Sequence, residues 1–337
     1  VSRAAVLEAR GTFSLVDQDA PPPGDHHVAI RVHRTGICGT DLALWSGSYP
    51  VPLPLVPGHE FVGTVEAVGP GVEGLAVGTR VVSEINASCE AKRDPDPCDA
   101  CRAGLERHCS RRTVVGILAH GGGFAERVVV PEGCVHPVPD RVDDVRAAFA
   151  EPVAAALQTF EMVGDPAGQR VLVLGPGRLG ALIVAVARDL GATVGAVARS
   201  ERSRQRARQF GAHAVFEAGD HDAIRAWAGI GADIVVEVTG QASSIGEALE
   251  LVRPRGTVAI KSTPGVPTEV DLTRVVVDEV RLVGSRCGPF DRALDWLAET
   301  TWPVAEMVEA TFPLSEIDAA FEAASRLAKV VVLTREP

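Results

Sequence analysis

Two short stretches of the chain place metal-binding side chains beside flexible glycine. "GICGTD" carries Cys38 and "PGHEFVG" carries His59, about twenty residues further on. A thiolate and an imidazole so placed can converge on one zinc ion. The third ligand must come from elsewhere, and Glu151 in "FAEPVAAAL", expected at a domain junction, is the candidate. One thiolate and one carboxylate neutralise the ion and leave a fourth position for water or an alcohol. A hydroxyl held there gives up its proton near neutrality, and the resulting alkoxide can release hydride. Taken singly, Cys38 reads more simply as a core thiol and His59 as a satisfied turn residue. Their combination carries the reading.

Cys89, Cys98, Cys101 and Cys109 form a separate group. Four thiolates at short separations suit a closed tetrahedral zinc that staples a loop and admits no substrate. A pair of disulfides is the rival, and it fits poorly with a cytosolic chain. Cys134 and Cys287 have no comparable partners and are expected in the core.

A third chemistry lies in "VLVLGPGRLG", where Gly175, Gly177 and Gly180 stand at G-x-G-x-x-G spacing between a predicted strand and a predicted helix. Such a turn brings a pyrophosphate close to the backbone at a helix N-terminus. That context disfavours the rival, a plain strand–turn–helix. Arg178 and Leu179 open the helix, and Thr239 and Ser285 end later strand candidates; these complete the cofactor contacts expected along the sheet. At the end of the second strand an NAD enzyme normally carries Asp or Glu for the ribose hydroxyls. Here Ala198 is followed by Arg199 and Ser200, with Arg202 and Arg204 close behind. Without the acid, a 2′-phosphate meets no repulsion, and a guanidinium can bind it through two hydrogen bonds. NADP(H) is therefore favoured over NAD(H), although some arginines of "RSERSRQRAR" must form an ordinary solvated helix face.

The elements that position these groups change character along the chain. The first ~145 residues hold short apolar or alternating runs separated by Gly and Pro, the texture of a small irregular β-domain. After Phe149, strand candidates alternate with amphipathic segments, as in a doubly wound parallel sheet. Leu179, Leu182, Ile183, Val186, Ala187 and Leu190 fall on one face of the helix after the glycine turn. The tail from Pro289 reads as helical, ending in a strand-like "KVVVLT". At 337 residues, 46% of them hydrophobic, the chain suggests about two domains. No apolar run reaches the ~20 residues of a membrane span, so a cytoplasmic protein without membrane contact is expected. A net charge of −11 argues against nucleic acid as a partner. Only three lysines are present, Lys92, Lys261 and Lys329, and none follows a phosphate loop, which excludes a P-loop nucleotidase.

"GICGTD", "PGHEFVGTVEAVG", the cysteine group, "GGGFAERVVVP", "AEPVAAAL", "VLVLGPGRLG" and "VVEVTG" occur in the order found in zinc-dependent medium-chain alcohol dehydrogenases. The resemblance spans nearly the whole chain and is nearest to the threonine/polyol-dehydrogenase-like branch. It implies an α/β protein with a GroES-like β-rich catalytic domain, residues 1–149 with 288–337, and a Rossmann domain, residues 150–287. It implies Cys38, His59 and Glu151 as catalytic zinc ligands, with Glu60 approaching the metal during ligand exchange. Asp41 matches the carboxylate that orients the histidine, and Thr40 the hydroxyl that takes the substrate proton. Two departures stand out. Cys89 and Cys98 enclose eight residues, "EAKRDPDP", where the family usually has two, which puts Cys89 in doubt as a ligand. Ala43 stands where relatives often carry a proton-relaying histidine.

The expected activity is NADP(H)-dependent interconversion of a secondary alcohol, a sugar, cyclitol or other polyol, and a ketone. Trp45 and Tyr49 are candidates for the substrate pocket. The rivals are a metal-free enone or quinone reductase of the same superfamily and a non-catalytic, zinc-stabilised NADPH-binding protein. The resemblance also implies a homodimer or homotetramer paired through sheet edges, for which "GTVAIKST" and "VRLVGS" are the candidate strands.

Overall fold

The computed structural model describes residues 1–335; the last two residues of the expected catalytic domain, 336 and 337, lie outside them. The chain divides into two compact units. The first comprises Val1–Glu151, Phe290–Glu299 and the segment from Ala305 onward; the second comprises Pro152–Pro289 and Thr300–Val304.

The first unit is built on a seven-stranded sheet. Its order runs Val308–Pro313, Lys329–Leu333, His27–Gly36, Glu60–Val68, Arg80–Ser83, Val135–Pro137, with Arg127–Pro131 also paired to His27–Gly36. Alternation drives this: along His27–Gly36, Val28, Ile30 and Val32 are fully buried and pack with Phe61, Val65, Val81 and Val130. A second cluster centres on Phe124 and Phe321, whose rings meet edge-on at 5.4 Å. The tail contributes more strand than its sequence suggests. Val308–Pro313 pairs parallel with Lys329–Leu333, a short strand whose polar alternation gives little apolar signal.

The second unit contains a six-stranded sheet with all neighbouring strands parallel. Its order is Ala214–Glu217, Thr193–Ala198, Arg170–Leu174, Ala232–Glu237, Val252–Ile260, Arg281–Gly284. Val171, Leu172, Val173 and Leu174 are all at most 1% exposed, as a strand covered on both faces must be. The helix Arg178–Asp189 departs from the one-faced reading: every residue from Gly180 to Ala187 is buried, including Ala181, Val184 and Ala185 on the supposed outer side. Trp302 joins Thr300–Val304 to this unit, its indole N–H donating to Asp189 at 2.9 Å. The strand within "GTVAIKST" is internal, flanked on both sides, which corrects its candidacy as a sheet edge; Arg281–Gly284 is at one edge and Ala214–Glu217 at the other.

Candidate functional site

Strand pairing brings the first metal-binding group together. Gly36, at the end of one strand, is paired with Glu60, at the start of its antiparallel neighbour. Cys38 follows the first strand and His59 immediately precedes the second, so two distant sequence stretches meet at one sheet end. Cys38, His59 and Glu60 each offer a ligand atom, and these atoms lie within 4.8 Å of one another.

Asp41 organises this group. It is fully buried in the first turn of the helix Gly39–Ser46 and accepts from the N–H of Cys38 at 2.8 Å and of Gly58 at 3.2 Å. Its Oδ1 also lies 3.3 Å from His59 Nδ1, leaving Nε2 as the nitrogen available to a metal. Burial works against a charged His59, but Asp41 and then Cys38 raise its pKa well above the ordinary value. Burial likewise pushes the Cys38 thiol up, yet the adjacent His59 outweighs it and holds the thiol below its usual range. A thiolate, an imidazole and a carboxylate fixed this way make a donor set suited to zinc.

Other expected residues stand further out. Glu151, half-buried in the first turn of the helix Ala150–Val163, is not in the close donor group, although its charge reaches both Cys38 and Glu84. Thr40 and Ala43 are half-buried in the helix Gly39–Ser46. Trp45 is part-buried and packs beside the core with its ring 6.0 Å from Phe321; Tyr49 is 42% exposed.

One residue of the site gives no signal in the sequence. Val331 pairs with Gly36 on the far side from Glu60, and Lys329 lies two residues away on the same face of its strand. Lys329 therefore reaches Glu60 and forms an ion pair in which both side chains are at most 3% exposed. Burial lowers the Lys329 pKa to about 8, against the opposing charges of Cys38 and Asp41.

The four lobe cysteines also converge, their sulfurs within 4.8 Å of one another and none in a disulfide. Cys89 belongs to this group despite the long loop that follows it. Residues of that loop are docked: Arg93 Nε donates to Glu132 at 2.8 Å, and Ala91 O accepts from Gly133 N. The N–H groups of Cys101 and Ser110 bring Cys98 down to about 5, while burial pushes Cys101 up to about 12. Cys134 and Cys287 are buried, as expected.

In the second unit the glycine turn has the required shape. Gly175 has φ +89°, and a Cβ there would press on Thr239; a Cβ on Gly180 would lie 2.2 Å from Gly175 O. Gly177 caps the helix Arg178–Asp189, whose first turn holds Arg178 and Leu179. Thr239 is locked by its hydroxyl and N–H donating to the buried Glu237 carboxylate at 2.7 and 2.8 Å. After Ala198, Arg199 and Ser200 are exposed, and Ser200 caps the helix Glu201–Gln209. The guanidinium of Arg204, also a cofactor candidate, donates to Ala198 O, Arg199 O and Glu201 and so holds the end of the strand.

Comparison with known proteins places these observations. Residues 24–140 match the alcohol dehydrogenase GroES-like domain, and residues 179–299 match the zinc-binding dehydrogenase family. A sorbitol dehydrogenase of Halalkalibacterium halodurans is 31% identical over 333 residues, 95% of each chain. An L-threonine 3-dehydrogenase of Anaeromyxobacter sp. (strain K) is 35% identical, covering 84% of this chain and 83% of its own. A Sinorhizobium meliloti 1021 protein bound to NADP, provisionally named a zinc-binding dehydrogenase, superposes with a TM-score of 0.90 at 33% identity, covering 98% and 99% of the two chains. The chain belongs to the zinc-type medium-chain dehydrogenases, with their GroES-like and Rossmann folds. Within that class it is an NAD(P)-dependent alcohol dehydrogenase.

Proposed function

We propose that the protein is a zinc-dependent, NADP(H)-dependent dehydrogenase that interconverts a secondary alcohol of the sugar, cyclitol or polyol class and the corresponding ketone. The observation that carries this reading is the convergence of Cys38, His59 and Glu60, with Asp41 holding Cys38 and His59 and with Glu151 close enough to act on Cys38 electrostatically. The polyol class is supported by the similarity to sorbitol dehydrogenase. NADP(H) is supported by the exposed Arg199 and Ser200 in place of an acid, and by the NADP bound to the Sinorhizobium relative.

Cys38, His59 and Glu151 would hold the catalytic ion, and Glu60 would exchange with them. When bound, zinc supplies a Lewis acid for the substrate oxygen, and NADP(H) accepts or donates the hydride. Asp41 keeps His59 in one tautomer and orientation. Thr40 takes the substrate hydroxyl proton, and Ala43 offers it no onward relay. Arg199 and Ser200 would bind the 2′-phosphate, while Arg204 keeps the backbone beneath them in place. Cys89, Cys98, Cys101 and Cys109 would hold a structural zinc. The edge strand Arg281–Gly284, with exposed Val276 and Val277 in the helix preceding it, would pair the subunits of a dimer or tetramer.

The experiment is alcohol-dependent growth of NADPH absorbance across a panel of polyols. His59→Ala should abolish turnover while the protein stays folded. Turnover that survives zinc removal would instead favour the metal-free reductase. NADPH binding without turnover of any alcohol or ketone would favour a non-catalytic binder.

A further inference from the structure

Lys261 follows the strand Val252–Ile260 at the carboxyl end of the six-stranded sheet. Its Nζ donates to Ala155 O at 2.8 Å, Arg286 O at 3.0 Å and Ser285 Oγ at 3.1 Å. Its backbone N–H donates to Glu237 O at 2.9 Å, and the N–H of Ser285 donates to Ile260 O at 3.2 Å. The ammonium thus ties the end of its own strand to the segment after Arg281–Gly284 and to a helix turn, while its backbone N–H pairs with the strand that ends at Glu237. The segment it holds, residues 285–289, has no helical or strand hydrogen bonding of its own. Close packing holds that segment as well: a Cβ on Gly288 would lie 1.7 Å from Ala154 O.

The strand order says what this knot would serve. Arg199 ends one strand, the glycine turn ends the next, and the sheet then continues through Glu237 and Ile260 to Gly284. Ligands of such sheets lie outside the carboxyl ends of the strands. With the adenosine half at Arg199 and the pyrophosphate at Gly175–Gly180, the remaining half must extend toward Lys261. Two strand spacings, about 10 Å, separate the glycine-turn strand from that of Lys261. The lysine does not contact the cofactor directly in this arrangement, because its three protons meet three protein oxygens. Its effect falls on Ser285. An ammonium cannot accept, so Ser285 Oγ accepts from Lys261 and keeps its own O–H free to donate outward.

We propose that Lys261 is a positioning residue for the nicotinamide half of the cofactor, orienting the Ser285 hydroxyl as a donor to a carboxamide oxygen. The inference rests on the NADP(H) reading above. The test compares dissociation constants for NADPH and for 2′,5′-ADP, which carries the adenosine half alone, in wild type, Lys261→Met and Ser285→Ala. Lys261→Met should weaken NADPH about tenfold, as expected for the loss of one oriented hydrogen bond, and leave 2′,5′-ADP within about twofold. Ser285→Ala should act in the same direction, and the double variant should be no worse than the weaker-binding single one. Equal weakening of both ligands, or none in Ser285→Ala, overturns the proposal. If Lys261→Met does not fold, Ser285→Ala decides alone. A wild type that prefers NADH and 5′-AMP overturns the NADP(H) reading only, and the same comparison run with that pair still decides the role of Lys261.

Discussion

Lys329 and Glu60 form an ion pair sealed inside the first unit, and Gly36 is what makes room for it. A Cβ on Gly36 would lie 2.6 Å from Lys329 Cε and 2.7 Å from Glu60 Oε2. The Phe149 ring covers the ammonium at 5.3 Å. Removing one partner leaves the other charge buried and uncompensated, at a cost of about 3–5 kcal/mol. Lys329→Met should lose about that much in urea unfolding, and adding Glu60→Gln should restore most of it. A loss in Lys329→Met under about 1 kcal/mol would show that the pair is not enclosed in solution.

Arg199 and Arg204 should separate cleanly. A charge-assisted contact to a 2′-phosphate is worth about 1.5–3 kcal/mol, so Arg199→Ala should lower the NADP/NAD ratio of kcat/KM by about 10- to 100-fold. Arg204→Ala should reduce both cofactors alike, because its guanidinium holds the carbonyls of Ala198 and Arg199. Identical effects of the two substitutions on the ratio would contradict this division.

Cys89→Ser should cost one zinc per chain and lower the thermal midpoint, since four sulfurs converge there. The long loop after Cys89 does not carry it away, because Arg93 and Ala91 dock that loop onto Glu132 and Gly133. Unchanged metal content in Cys89→Ser would return that residue to a core role.

The same anchor gives a pH dependence. Burial raises the Glu132 pKa, but hydrogen bonds from Arg93, the Glu73 N–H and His26 more than offset this and hold it below the usual carboxylate value. A depressed folded pKa stabilises above the unfolded value of about 4.3 and loses that contribution as pH falls through the folded one. The unfolding free-energy difference between wild type and Glu132→Gln should therefore be full near neutrality and shrink progressively below about pH 4. A difference independent of pH would remove the charge from the explanation.

Much of this was legible in the residues because local chemistry carried it. The glycine turn, the cysteine group and Cys38 with His59 announce themselves by spacing. What escaped depends on pairing between distant strands. Lys329 meets Glu60 only because the C-terminal strand lies beside His27–Gly36, and no local pattern around "AKVVVL" encodes that neighbour. Arg204 is one of five arginines in "RSERSRQRAR", and only its contacts distinguish it from Arg199. The packing of Trp45 on Phe321 escaped because that ring belongs to the chain's far end. The apolar period of the helix after the glycine turn identified its sheet side but could not show that its other side is covered too.

The proposed activity depends on a catalytic zinc that Cys38, His59 and Glu151 would hold, distinct from the four-cysteine site. Metal analysis of folded wild type and His59→Ala, each assayed with the best polyol, tests it most directly. The wild type should hold about two zincs per chain and the variant about one, with turnover only in the first. Equal zinc content in both proteins, or full turnover in the variant, would contradict it.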